Sequence, residues 1–247
     1  MQPVKVIVLA AGQGKRIRTE GVDLPKVLRR ANGKPLLAYV LEALDFAKAD
    51  DTIIVVGYQK ERVIEEFSGY RYAVQSEQKG TGHAALCGAE LLTDYTGAVL
   101  ICCGDMPLVS RETYRELLNR HFADGNDCTM LTGSSEVPLP YGRVLRDENG
   151  EFLRIVENGD CTAEQLNIRE LNAGVYIFSL PRLIPALHAL RTNNNQGELY
   201  LTDAPTIIAE RGGKVGTCNM ELGNQIVGVN NVEQLELVER ILQQRAR

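Results

Sequence analysis

Paired cysteines, clustered histidines and long apolar runs are all missing from this sequence of 247 residues. The six Cys residues include the adjacent Cys102 and Cys103 but no CxxC spacing, which argues against a disulfide framework and fits a reducing compartment. His83, His121 and His188 form no HExxH, and no motif supports a zinc site, a Ser-His-Asp hydrolase or a thiol enzyme. The apolar start from Val6 to Ala11 is too short to span a bilayer, lacks the organisation of a secretory signal and runs directly into a glycine-rich loop. A mature cytoplasmic chain without membrane insertion is therefore expected.

What is present is ordinary globular usage, with 44% hydrophobic and 24% charged residues and no Trp, which excludes a disordered tail or a fibre. The net charge is −5, yet the first 34 residues hold eight Lys/Arg against two Asp/Glu. An acidic surface with a basic amino-terminal loop disfavours nucleic acid and favours a small anionic substrate.

Val4 to Leu9 reads as a buried strand feeding a loop, and Lys34-Pro35 opens a helix through Leu44, with Pro35 in its first turn. Strands follow at Thr52 to Gly57, Tyr70 to Gln75 and Ala98 to Cys103. They alternate with helices near Glu61 to Phe67, at Thr81 to Leu92 with Thr81 as a candidate N-cap, and near Arg111 to Phe122. That alternation predicts an α/β, Rossmann-like fold with a mostly parallel central sheet. Beyond about residue 125 the strands Cys128 to Leu131, Arg143 to Leu145, Phe152 to Val156 and Ala173 to Phe178 mix with helices near Leu183 to Leu190, Asp203 to Ala209 and Val232 to Leu242.

Several loops carry candidate chemistry, each with a plainer alternative. In LAAGQGKR, from Leu9 to Arg16, Gly12 and Gly14 permit unusual backbone angles while Lys15, Arg16 and Arg18 can face phosphate. The loop completes neither a P-loop nor a GxGxxG fingerprint, so an ordinary strand-to-helix turn remains open. Pro25 can restrain Lys26 as a point charge for a phosphoryl group; surface solubility is the alternative. Gln75 and the segment EQKGTGHA can read a base, with Gly80 and Gly82 leaving room around Thr81; a generic helix start is the alternative, and His83 reads as structural. Asp105, after the Ala98 to Cys103 strand, suits Mg²⁺ or caps a turn. Tyr141-Gly142-Arg143, Glu157 and Asn172 can orient a polar sugar or serve packing alone. Asn230 can return an oxygen to the same metal as Asp105, or Asn230-Asn231 can cap the last helix.

LAAGQGKR, LPKVL, QSEQKGTGHA, GDMPL, YGRVLR, IVENGD, LNAGVYIF, QGELYLTD and VGVNNVEQLELVE occur in this order across almost the whole chain. In that combination the sequence resembles the N-terminal uridyltransferase domain of the bifunctional N-acetylglucosamine-1-phosphate uridyltransferase family. The resemblance implies a nucleotidyltransferase that joins UTP to N-acetylglucosamine 1-phosphate and releases pyrophosphate. By residue-to-residue match it implies Arg16, Lys26 and Asp105 as catalytic and Leu9, Ala10, Gly12, Gly14, Gln75, Gln78, Gly80 and Thr81 on the nucleotide. Gly142, Glu157 and Asn172 fall on the sugar, and Asp105 and Asn230 on Mg²⁺. Lys15 stands where Thr is usual and Cys103 where Tyr is common, which leaves the sugar choice open, with glucose 1-phosphate or another sugar phosphate as the alternative acceptor and a noncatalytic nucleotide-sugar sensor as the second alternative.

Residues 1–247 are thus expected to form a single nucleotidyltransferase domain, with a nucleotide-binding half near 1–125 and a sugar-binding half near 126–230. No obligatory protein partner is expected. The hexapeptide-repeat acetyltransferase region of the bifunctional relatives is not in this sequence, so no acetyl transfer is expected from it.

Overall fold

The chain's computed structural model describes residues 3–14, 23–134 and 139–245. Strand β1 (Val4–Ala10) is followed by the two-residue strands β2 (Arg30–Ala31) and β3 (Lys34–Pro35) and helix α1 (Leu36–Ala43). Next come β4 (Thr52–Val56), α2 (Lys60–Glu66), β5 (Arg71–Val74), α3 (Thr81–Ala89), β6 (Ala98–Cys103) and α4 (Arg111–Asp124). The second half contributes β7 (Cys128–Ser134), β8 (Arg143–Arg146), β9 (Phe152–Val156), β10 (Glu170–Ser179), α5 (Leu180–Ala189), α6 (Ala204–Glu210), β11 (Val215–Met220) and α7 (Val232–Arg245).

One sheet runs through both halves in the order β11-β7-β10-β6-β1-β4-β5, with β8 and β9 attached beside β10. The block β6-β1-β4-β5 is parallel. All five residues of β4 are buried, as expected of a β-branched run covered on both faces. The exception to parallel pairing on this path is β10, antiparallel to β6 and β7. Its register, Tyr176 opposite Ile101, carries its early residues towards the carboxyl end of β6.

Alternation along β1 splits the core. Val6, Val8 and Ala10 face a cluster containing Leu37, Val40 and Leu117, whereas Ile7 faces one with Ala84, Ala85 and Leu183. Small residues let α3 lie close: a Cβ at Gly88 would meet Ile7 Cγ2 at 2.7 Å. A third cluster joins Val238 and Ile241 of α7 to Ala31 and Leu36, bringing the chain's last helix back to its first loops. Among the described residues no helix is long and apolar enough to cross a membrane.

Three local expectations change. The N-cap of α3 is Gly80, at φ +104°; the Thr81 hydroxyl instead accepts from Leu201 N at 3.0 Å, a long-range contact that spacing alone does not reveal. Pro35 sits just before α1 as its N-cap residue rather than within its first turn. Strand β11, absent from the sequence reading, pairs in parallel with β7; its VGTCNM run has too few bulky apolar residues to announce a strand.

His121 of α4 is 4% exposed and pairs through Nδ1 with Thr129 Oγ1 at 2.9 Å. Burial pushes its imidazole down to about 4, against about 6.5 in an unfolded chain. Between those values the unfolded chain binds a proton that the folded chain refuses, so stability present above pH 6.5 is lost as pH falls towards 4. The His121 contribution to that loss is about 3 kcal/mol. In urea denaturation at successive pH values, His121→Gln should flatten the slope between pH 6.5 and 4; an unchanged slope contradicts the assignment.

Candidate active site

The carboxyl ends of β1 and β6 are tied by Gly104 N donating to Leu9 O at 2.9 Å, which turns Asp105 out at the edge where open α/β sheets bind ligands. Lys26 arrives from a short 3-10 turn behind Pro25, whose φ is −51°. The Lys26 ammonium forms an ion pair with Asp105 Oδ2 and donates to Asn230 Oδ1 at 2.8 Å. With Lys26 and Asp105 side chains 18% and 15% exposed, this pair is screened less than a surface pair.

Asn230 is available for that contact because its neighbour does the capping. Asn231 Oδ1 accepts from Gln234 N at 2.8 Å, and Gln234 Oε1 accepts from Asn230 N at 2.7 Å. The helix cap thus falls to Asn231, while the Asn230 side chain is turned towards Lys26.

Two cavities meet at this point. The first, about 250 Å³, includes Gly12, Lys26, Gln75, Gln78 and Gly80 in its wall. The second, about 190 Å³, includes Tyr141, Gly142, Glu157, Asn172 and Asn230. Leu9, Thr81, Cys103 and Asp105 line both. Cys102 is buried in the core while Cys103 reaches the cavities, as alternation along a strand requires.

On the first side the glutamines fasten loops together. Gln78 Nε2 donates to Ala11 O at 2.7 Å, and Gln75 Nε2 donates to Gly80 O at 3.0 Å, 3.1 Å from His83 Nδ1. His83 thus sits behind Gln75, in keeping with the structural reading. The room beside Gly80 and Gly82 is filled by the chain itself: a Cβ on Gly80 would meet Leu199 O at 2.6 Å and one on Gly82 would meet Leu190 Cδ1 at 2.3 Å. Gly14 has φ +63°, but a Cβ on Gly12 meets nothing within 4 Å, so Gly12 leaves open space rather than making a tight turn. Ala10 lines this cavity too. Lys15, Arg16 and Arg18 lie outside the described residues.

On the second side, Gly142 is explained by packing, since a Cβ there would meet Ile155 Cγ2 at 2.8 Å. Asn172 donates to Tyr176 OH at 2.6 Å and accepts from Gly174 N at 3.2 Å, fixing a bulge at which Gly174 takes φ +69°. Glu157 accepts from the Thr202 hydroxyl at 2.9 Å. Burial raises its carboxyl above the usual range, with Asp203 and Asp160 adding to the rise and the Thr202 hydrogen bond opposing it. The buried Arg143 guanidinium donates to Leu139 O at 3.0 Å, to Tyr141 O and to Asn158 Oδ1 at 3.2 Å. Glu198 of the first wall and Thr202 of the second escaped the reading by residue chemistry, although both lie in the segment QGELYLTD.

The model of the MobA-like NTP transferase domain matches residues 6–202. The chain belongs to the MobA-like NTP transferase domain family. This NTP transferase domain is also 40% identical, over 247 residues, to bifunctional protein GlmU of Caldanaerobacter subterraneus subsp. tengcongensis, covering 99% of this chain and 53% of that one. Its identity to bifunctional protein GlmU of Clostridium beijerinckii is 42% over 243 residues, 97% and 52% of the two chains. The chain spans about half the length of the curated relatives it matches. A Bacillus anthracis crystal structure assigned as a glucose-1-phosphate thymidylyltransferase superposes with a TM-score of 0.75 at 16% identity, covering 97% of this chain and 95% of that one; the two share the fold.

The two glycines of the first wall separate packing from open space. In this NTP transferase domain Gly80→Ala should lower stability by about 2 kcal/mol or more, combining a strained φ with a backbone clash. Gly12→Ala should stay within about 0.5 kcal/mol of the parent. Urea denaturation of the two variants checks both, and equal effects contradict the distinction.

Proposed function

We propose that the protein transfers a uridylyl group from UTP to N-acetylglucosamine 1-phosphate, forming UDP-N-acetylglucosamine and pyrophosphate with Mg²⁺. The observation that carries this reading is the meeting of Lys26, Asp105 and Asn230 where the two cavities join. Family membership, the relatives named bifunctional protein GlmU and the ordered motifs support it. The nucleotide side and the sugar side would be halves of one domain, near residues 1–125 and 126–230.

The residues fit a divalent ion. Two oxygens, Asp105 Oδ2 and Asn230 Oδ1, already converge on one positive charge, and oxygen donors suit Mg²⁺. Among the described residues no group of three His, Cys, Asp or Glu could hold a metal, so in this reading waters and phosphate oxygens of the substrate would complete the coordination. Asp105 and Asn230 would hold Mg²⁺, which when bound supplies neutralisation of phosphate charge.

The chemistry then falls to alignment and electrostatics. An oxygen of the sugar phosphate, already anionic near neutral pH, attacks the α-phosphorus of UTP; the bond to the bridging oxygen breaks, and pyrophosphate leaves with its electron pair. No proton has to be abstracted. In this reading Lys26, with Arg16, offsets charge on the leaving group. Gln75, Gln78, Gly80 and Thr81 shape the nucleotide side, together with Leu9, Ala10, Gly12 and Gly14. Gly142, Glu157 and Asn172 shape the sugar side. Cys103, on the wall common to both cavities, leaves the sugar choice open, with glucose 1-phosphate or another sugar phosphate as the competing acceptor.

A matrix of nucleoside triphosphates and sugar 1-phosphates, scored for pyrophosphate and nucleotide sugar, tests the assignment. UTP with N-acetylglucosamine 1-phosphate should give the highest kcat/KM, and Asp105→Asn should lower turnover about 100-fold or more while leaving the thermal midpoint near that of the parent. UTP binding without product in any combination, or an Asp105→Asn variant with native turnover at every Mg²⁺ concentration, contradicts the reading.

A further inference from the structure

Asn230 lies between the 3-10 turn Gly223–Ile226 and α7, outside any strand or helix. Besides the Lys26 contact of its side chain and the burial of the neighbouring Val229 in the third hydrophobic cluster, three described hydrogen bonds hold residues 228–230. Val229 N donates to Asp105 O at 3.0 Å, Gly228 N donates to Tyr141 OH at 3.0 Å, and Asn230 N donates to Gln234 Oε1 at 2.7 Å. Of these three acceptors, only the Tyr141 hydroxyl comes from the sugar-side segment that the Arg143 guanidinium clamps. The same guanidinium reaches Asn158, the residue after Glu157. A phenol that accepts one N–H still has a proton to donate, and Tyr141 lines the second cavity. Donating that proton to an anionic ligand makes the phenol oxygen a better acceptor for the amide behind it.

We propose that Tyr141 is a positioning residue that couples the sugar side to the cation position, its hydroxyl holding Gly228, and through it Asn230, in register with Asp105. The proposal rests on the reading of Asp105 and Asn230 as metal ligands. It adds a direction: a sugar phosphate bound beside Tyr141 tightens the site for a divalent ion, and by linkage the ion tightens the site for the sugar phosphate by the same factor. One hydrogen bond gained or lost at this position corresponds to about a threefold to tenfold change in affinity.

The test measures Mn²⁺ binding to the full chain without nucleotide, by the electron paramagnetic resonance signal of free Mn²⁺, with and without N-acetylglucosamine 1-phosphate. Chelation by the sugar phosphate is subtracted from a protein-free blank, and the site is defined as the binding that Asp105→Asn abolishes. The parent should bind Mn²⁺ about threefold to tenfold tighter when the sugar phosphate is present. Tyr141→Phe should keep the thermal midpoint and the binding that depends on Asp105, but weaken it by a similar factor and reduce the tightening to what direct phosphate ligation supplies; a role in folding alone would not reduce that linkage. Parent-like affinity and tightening in Tyr141→Phe overturn the role of Tyr141 while leaving the metal site standing. Absence of any binding dependent on Asp105 in the parent overturns the metal reading and the proposal together. Amide exchange at Gly228 in the parent, which needs no variant, should slow when the sugar phosphate is added, and an unchanged rate also overturns the proposal.

Discussion

One ammonium group organises the reactive edge of this molecule. Lys26 contacts Asp105 at the end of the central strand and Asn230, 204 residues further along the chain. Three stretches that local folding leaves independent are thereby brought to a single point. That point has cavities on both sides, with Lys26 in the wall of one, Asn230 in the wall of the other and Asp105 in both. A positive charge at that point would serve the proposed reaction between two anions, whose mutual repulsion is the first barrier to alignment.

Around that point the protein spends its polar side chains on one another. Gln75 and Gln78 fasten the loops of the first cavity to Gly80 and Ala11, and Thr81 holds Leu201. Asn172 fixes the bulge of β10, Thr202 holds Glu157, and Arg143 ties together Leu139, Tyr141 and Asn158. Such networks hold the walls together before a ligand arrives, which lowers the ordering that binding has to supply. In the proposed reaction, catalysis by positioning would depend on this preorganisation more than on any single acid or base.

The parallel half of the fold was legible because β1, β4 and β6 are compact apolar runs rich in Val and Ile and because its helices carry periodic apolar residues. Strand β11 was not legible, since Gly216, Thr217 and Asn219 interrupt its hydrophobic pattern and β7 supplies its pairing from far along the chain. Residue chemistry and family resemblance together pointed to Asp105 and Asn230 as neighbours and to Lys26 as a phosphate contact. They did not reveal that Asn231 takes over the helix cap, that Gly80 and Gly82 leave room for Leu199 and Leu190, or that Gly142 makes room for Ile155. Those are contacts between distant segments, and spacing along one segment carries no record of them.

The most direct test of the central claim is an anomalous-difference map from crystals grown with Mn²⁺ and UDP-N-acetylglucosamine. The account predicts a peak within coordination distance of Asp105 Oδ2 and Asn230 Oδ1, with the Lys26 ammonium moved onto a phosphate oxygen. A peak elsewhere, with Lys26 still bridging Asp105 and Asn230 beside bound product, would contradict it.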